Sequence, residues 1–262
     1  MPDSLVIAGK YGWEKAVTSS ATAAVNPTGS KGRQLGVRMH LPDGRSFVWC
    51  KSAGTIGAGK LVAQDPTSTT YDNGLVVPTA RAIGASLVTL TNAVATLAVN
   101  KFKEGYLHIE SSIGLGYDYK IKSQVAATTT GAISITLHEN DGIRIALTTA
   151  SKAGLRRHPC DAVVEWPTTA TGIPIGVTKV AVVSGDYFWA QTYGLAALLS
   201  DAVVWRVGAP IKPSFSVAGA ARDANPVAGT ASTTSGSKAV IGWAPDISVS
   251  AEYQMAFLTI GR

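Results

Sequence analysis

From residue 35 onward the chain alternates apolar with polar or small residues at a period of two, in short runs broken by Gly, Pro, Asn and Asp. Leu35, Val37 and Met39 alternate with Gly36, Arg38 and His40, and Pro42-Asp43-Gly44 then turns the chain into Phe47-Val48-Trp49. Period two puts alternate side chains on opposite faces of a strand, and a Pro-Asp-Gly step supplies the turn, so this segment predicts a hairpin. Two β-like runs follow between Leu87 and Val99, divided near Asn92, and residues 105–109 and 117–122 read as further strands. Ile133, Ile135 and Leu137 alternate inward. The turn His138-Glu139-Asn140-Asp141-Gly142 then predicts a type I′ hairpin into Ile143, Ile145 and Leu147. Residues 163–166, 175–183, 187–192 and 197–199 continue in the same style, and Tyr253, Met255, Phe257 and Ile260 mark a last strand expected to pair into a sheet.

Helical periodicity is nearly absent. The best candidate, between Leu195 and Val204, would make only about three turns and ends in β formers. The pattern therefore predicts an all-β fold, a barrel or sandwich of short antiparallel strands. Residues 1–34 lack the pattern and read as an extended N-terminal arm. Residues 217–238, rich in Ala, Gly, Ser and Thr with Asn225-Pro226, read as a long surface loop. No repeat of fixed period is visible, which disfavours a propeller or β-helix.

Composition narrows the picture. Charged residues are only 15% of the 262, against 46% hydrophobic, which suits a subunit whose surface is covered by copies of itself and by partners. The net charge of +6 raises the question of an acidic partner, but the basic residues are dispersed and their tightest group is Arg156-Arg157. No basic helix or basic-aromatic platform is present, so nucleic acid is not an expected partner and an acidic protein lattice is. The apolar stretch 82–99 contains Asn92 and several Thr and Ser, and no membrane span is expected. Met1-Pro2-Asp3-Ser4 has no basic secretory n-region, so synthesis in a cytoplasm is expected. Cys50 and Cys160 lie far apart, outside any metal or disulfide pattern, and read as buried thiols.

Candidate chemistry is sparse. Gly54-Thr55-Ile56-Gly57-Ala58-Gly59-Lys60 matches the first seven positions of a phosphate-binding P-loop, but Leu61 stands where a metal-holding hydroxyl is required. A glycine-rich turn between strands is the expected structure. His40, His108, His138 and His158 have no metal-ligand spacing, and no nucleophile elbow occurs. Glu104, Glu110, Asp118, Glu139, Asp141 and Asp186 could serve glycoside hydrolysis, yet nothing singles out a pair. The expectation is a protein that is not an enzyme, with no catalytic, cofactor-binding or metal residues and no cofactor. Trp13, Trp49, Trp166, Trp189, Trp205 and Trp243, with the run Tyr187-Phe188-Trp189, could line a sugar-binding groove; core and subunit contacts are the more ordinary use.

Three segments taken together resemble the head decoration, or capsid cement, proteins of tailed bacteriophages. They are Asp43-Gly44-Arg45-Ser46-Phe47-Val48-Trp49 leading into residues 54–62; residues 100–107 followed by 116–123; and residues 172–177 with Tyr187-Phe188-Trp189-Ala190-Gln191-Thr192-Tyr193-Gly194 and 197–199. The resemblance covers most of residues 40–262 and carries no catalytic motif. It implies a structural subunit on the outer surface of the phage head, made in the bacterial host cytoplasm, that binds the major capsid protein and associates with itself, often as trimers. It also implies a discontinuous architecture, with residues 35–85 and 166–262 forming a main β domain and residues 86–165 an inserted β unit. The alternative function is a head-fibre or tail receptor-binding protein that uses its aromatics on host sugars, with a catalytic depolymerase third.

Overall fold

The computed structural model describes residues 33–65, 71–92, 96–224, 239–249 and 251–261. Those residues form sixteen strands and no helix, so the chain is all-β. The expected arm over residues 1–34 lies outside them except for Arg33 and Gln34, as does the loop reading for residues 225–238. The chain divides into two compact units, one of Met1–Pro66 with Pro159–Arg262 and the other of Thr67–His158.

The larger unit begins with β1 (Arg38–His40), β2 (Ser46–Lys51) and β3 (Leu61–Ala63). β1 and β2 form the hairpin expected from the alternation, with Met39 opposite Phe47. Gly44 takes φ +87° at its tip, and the turn closes through Gly44 N to Leu41 O (3.0 Å) and Leu41 N to Arg45 O (2.9 Å).

The second unit holds β4 (Leu75–Val76), β5 (Leu87–Thr91), β6 (Tyr106–Ser111), β7 (Asp118–Gln124), β8 (Ala132–Leu137) and β9 (Lys152–Arg156), in the spatial order β4-β9-β6-β7-β8-β5. Its interior is built by the alternation read from the sequence: Ile133, Ile135 and Leu137 from β8, Tyr119 and Ile121 from β7, Leu107 and Ile109 from β6. The two outer strands meet through a side chain. Thr91 Oγ1 on β5 accepts from Val76 N (3.2 Å) and donates to Val76 O (3.3 Å) on β4, so the sheet is nearly closed on itself. Closure of this kind occupies edge groups that would otherwise template pairing with other chains.

The expected boundaries of this unit, 86 and 165, move to 67 and 158. At the start, β4 pairs with β9, and Tyr71, Leu75 and Val77 belong to the second unit's core. At the end, Cys160 and Val163 are buried in the larger unit. The predicted hairpin from Leu137 to Leu147 does not form either, because β8 already has β7 and β5 on its two edges. Asp141 instead accepts from Lys120 N (2.7 Å), and Ile143 is buried beside Gly84, whose amide donates to its carbonyl (2.7 Å).

The chain then completes the larger unit with β10 (Val164–Glu165), β11 (Pro174–Thr178), β12 (Tyr187–Leu199), β13 (Pro210–Pro213), β14 (Ala221–Asp223), β15 (Gly242–Trp243) and β16 (Tyr253–Thr259). The order is β10-β3-β11-β12-β16-β15-β13-β14, with β2 also on β12. The 13-residue β12 is the spine: it pairs with β2 from Tyr187 to Tyr193 and with β16 from Tyr193 to Leu199. The helix candidate after Leu195 is thus strand as far as Leu199, fixed by its ladder to β16. The expected loop from residue 217 also begins as structure, since β14 pairs with β13 through Ile211–Asp223, Lys212–Arg222 and Pro213–Ala221.

One local device recurs six times without a fixed period. Single residues pair across antiparallel bridges, Ile56 with Val182, Arg81 with Leu147 and Leu97 with Ala127, each pair exchanging both amide hydrogen bonds at 2.7–3.0 Å. After four of the six bridge residues the backbone takes positive φ three positions later, at Gly59, Gly84, Asn100 and Gly185. Glycine or asparagine is favoured there because a Cβ is strained in that region. Five of the six bridge residues (all but Leu97) stand five or six positions before a strand, so those five turns lead directly into the next strand.

Gly154 in β9 supports a sharp prediction. A Cβ there would overlap the Asp72 carbonyl oxygen and the His108 ring, neither of which can swing aside freely. Gly154→Ala should destabilise the protein by about 3 kcal/mol or more. Gly54→Ala, with nothing within 4 Å of the added atom, should cost under about 1 kcal/mol by the same denaturant titration.

Candidate functional site

The second half of β12 has a buried face and an open one. Ala196 and Leu198, with Ala256 and Leu258 of β16, point into a core that includes Trp205 and Ile211. Tyr193, Leu195 and Ala197 lie on the opposite face beside Tyr253, Met255 and Phe257, and Trp243 is registered against Phe257. Leu195, Trp243, Tyr253 and Met255 are 47%, 48%, 52% and 43% exposed, so this face is an apolar band open to solvent. Tyr193 and Phe257 pack edge to face with centroids 5.4 Å apart, which holds its middle rigid.

A cleft flanks the band on each side. One of about 420 Å³ lies against the β1–β2 turn and is lined by Asp43, Gly44, Arg45, Tyr193, Leu195, Met255 and Phe257. The other, of about 390 Å³, is lined by Ala58, Gly59, Thr178, Lys179, Ala197 and Tyr253. The Tyr253 ring lies directly on Gly59, where an added Cβ would come within 2.7 Å of it. Each cleft carries a basic group. Arg45 pairs with Asp43 at 2.7 Å. Partial burial raises the Asp43 pKa, but the Arg45 amide and guanidinium outweigh it and hold the carboxyl below its ordinary value. Lys179, half-buried, has its pKa lowered by burial and then by the nearby Arg45 charge.

The placement of this band depends on a bulge. Register between β12 and β2 slips between Gln191 and Tyr193, and Gly194 follows at φ +87°. The buried Gln191 amide donates to Tyr193 O (3.1 Å) and Leu195 O (2.9 Å), fixing the bulge from inside. At the far end of β12 the fully buried Asp201 gathers a second polar group. Its carboxylate accepts from Val203 N (2.7 Å) and Ser214 Oγ (2.8 Å), and Arg222 Nε lies 3.8 Å away. The Arg222 guanidinium sits 4.0 Å over the Phe215 ring, and the neighbouring Asp223 carboxylate pairs with Arg206 at 2.8 Å.

The residues weighed from the sequence are scattered. In the segment resembling a P-loop, Gly59 N donates to Thr178 O (2.8 Å), Lys60 N to Thr178 Oγ1 (3.0 Å) and Leu61 N to Gly219 O (2.8 Å). The Lys60 ammonium pairs with Glu165 at 3.2 Å. Strand β3 follows, so those amides brace strands where a nucleotide site would need them open at a helix start. His40 bonds Ser46 Oγ (2.8 Å). Glu139 pairs with Lys122, Asp141 with Arg144, and Glu110 accepts from Gly74 N. Among the described residues no three His, Cys, Asp or Glu side chains come together as metal ligands. The aromatic run divides: Phe188 enters one core, while Trp189 packs against Trp49 at 4.9 Å with Arg33 over both rings. Trp49, Trp166, Trp189 and Trp205 are buried, Trp13 lies outside the described residues, and Trp243 faces solvent on the band.

The sequence reading missed the band itself. Its signal was present where both parities of a run are apolar, as in Leu195–Leu199 and Met255–Leu258, since a strand with one wet polar face would alternate. Comparison with protein-family models, curated proteins and solved structures finds no match to this chain.

Asp201→Ala should cost about 3–5 kcal/mol in equilibrium denaturation, because it strands the Arg222 charge in the interior. Adding Arg222→Met to that variant should recover part of the loss.

Proposed function

We propose that the chain is a structural, non-enzymatic virion subunit, a decoration protein that seats the β12–β15–β16 band on the outer surface of a phage head. The observation that carries this reading is the band: a rigid sheet face, apolar over three adjacent strands, with a basic group in the cleft on either side. Patches of this kind mark protein contact, and buried aromatic and methionine anchors dominate such contacts. The Arg45 and Lys179 clefts suit a mildly acidic capsid surface, consistent with the net charge of +6. Weak apolar seating becomes strong when multiplied by lattice symmetry and by self-association of the subunit. The resemblance of residues 40–262 to capsid cement proteins points the same way.

A receptor-binding role on a head fibre or tail is the second reading, favoured by the exposed rings of Trp243 and Tyr253, which present flat apolar surfaces suited to sugar stacking.

One experiment separates them. Heads of the encoding phage, purified without this protein, are mixed with it and sedimented. The native chain should bind at many copies per head, whereas Leu195→Asp with Met255→Asp should lower affinity at least about 100-fold, with thermal stability unchanged within a few degrees. Undiminished binding by the double variant would remove the band from the contact, and failure of the native chain to sediment with heads would favour receptor binding.

A further inference from the structure

Cys50 and Cys160 are 110 positions apart in the chain and adjacent in the larger unit. Lys51 N, beside Cys50 on β2, donates to Cys160 O at 2.9 Å, and Val163 N returns to Lys51 O at 2.7 Å. Ser52 and Val163 form a parallel bridge immediately beyond. Both sulfur-bearing side chains belong to one buried apolar cluster with Val48, Ile56 and Phe188. Neither cysteine is in a disulfide, and the two side chains share that cluster across the Lys51–Cys160 backbone contact. Cys160 is the second residue after the chain returns from the inserted unit.

We propose that Cys50 and Cys160 are an oxidisable pair, which a small-molecule disulfide converts into an intramolecular bond riveting the returning chain to β2. The thiolate of Cys160, the slightly more exposed of the two residues, attacks the oxidant, forms a mixed disulfide and releases one thiol. The Cys50 thiolate then attacks the Cys160 sulfur and displaces the second thiol. Two protein thiols lose two protons and two electrons, and one oxidant disulfide becomes two thiols. Burial, and then the neighbouring Cys160, raise the Cys50 pKa well above the ordinary thiol value, so ring closure is slow at neutral pH and accelerates as pH rises. A reducing cytosol leaves the pair open during folding, and an oxidising exterior closes it. The product would fasten a loop containing the whole inserted unit, the length for which cross-linking constrains the unfolded chain most.

The test is to incubate the folded full-length chain with excess oxidised glutathione at about pH 8.5, where an ordinary thiol is about half ionised. The expected product is a monomer about 2 Da lighter, with no titratable thiol and a linked Cys50–Cys160 peptide. Its Tm should be about 5–15 °C higher, and dithiothreitol should reverse the change. Cys50→Ser should accept one glutathione on Cys160 and show no such rise. Two surviving thiols in the native chain, two glutathione adducts or a disulfide between chains would each overturn the proposal. The wild-type chemistry decides the matter even where a serine variant does not fold, and phage-head binding has no part in the readout.

Discussion

The carboxamide of Gln191 bonds two carbonyls of its own strand, and the arrangement of the larger unit follows from that contact. A strand as long as β12 cannot run flat, since strand twist accumulates along its length. The bulge absorbs the mismatch where β12 exchanges one neighbour, β2, for another, β16. Before it, Phe188 and Trp189 are buried on opposite faces in two separate cores. Beyond it, one face still covers a core while the other meets water. One irregular step thus converts a doubly buried strand into a platform. An amide suits the task because it satisfies carbonyls that lose their ladder partners, and burial makes those groups costly to leave unmet.

The polar group around Asp201 holds the other end of that platform. It ties the end of β12 to Ser214 beyond β13 and to Arg222 on β14, segments that contribute little apolar area of their own. Buried charge pairs are rarely chosen for net stability, since desolvation offsets much of their attraction. Here the carboxylate also accepts a backbone amide and a hydroxyl, so it sets the path of the chain in a way that apolar residues of similar volume would not.

The strands were legible in the sequence as a simple alternation where one face is wet, in β1, β7 and β8, and as a short apolar run after a turn in β2. Where both faces are apolar the reading was ambiguous, and residues 197–199 carried both a strand and a helix reading. The tail of β12 looks helical in isolation, and only its seven-residue ladder to β16 decides otherwise. The stretch after Val217 looked like loop because β14 is short and its Arg222 and Asp223 are charged; their burial depends on partners more than ten positions away. The false hairpin after Leu137 shows the same limit, since a correct turn signal does not reveal that both edges of β8 are taken. The unit boundaries had a cue in Pro66 and Pro159 flanking polar residues, weaker than the strand signals around them. As for the apolar band, sequence supplied its residues, but their convergence needed the register of three strands.

The way the chain leaves the larger unit and comes back has a consequence for excision. β3 departs and β10 returns paired to each other, Ala63 opposite Val164, and within the second unit Tyr71 O and Leu155 N are bonded at 2.7 Å. Each unit therefore closes its own ladder at the crossing. Topologically, the whole of Thr67–His158 stands where a tight turn between β3 and β10 would suffice. A chain with residues 67–158 replaced by a short turn would therefore keep the β3–β10 ladder unbroken.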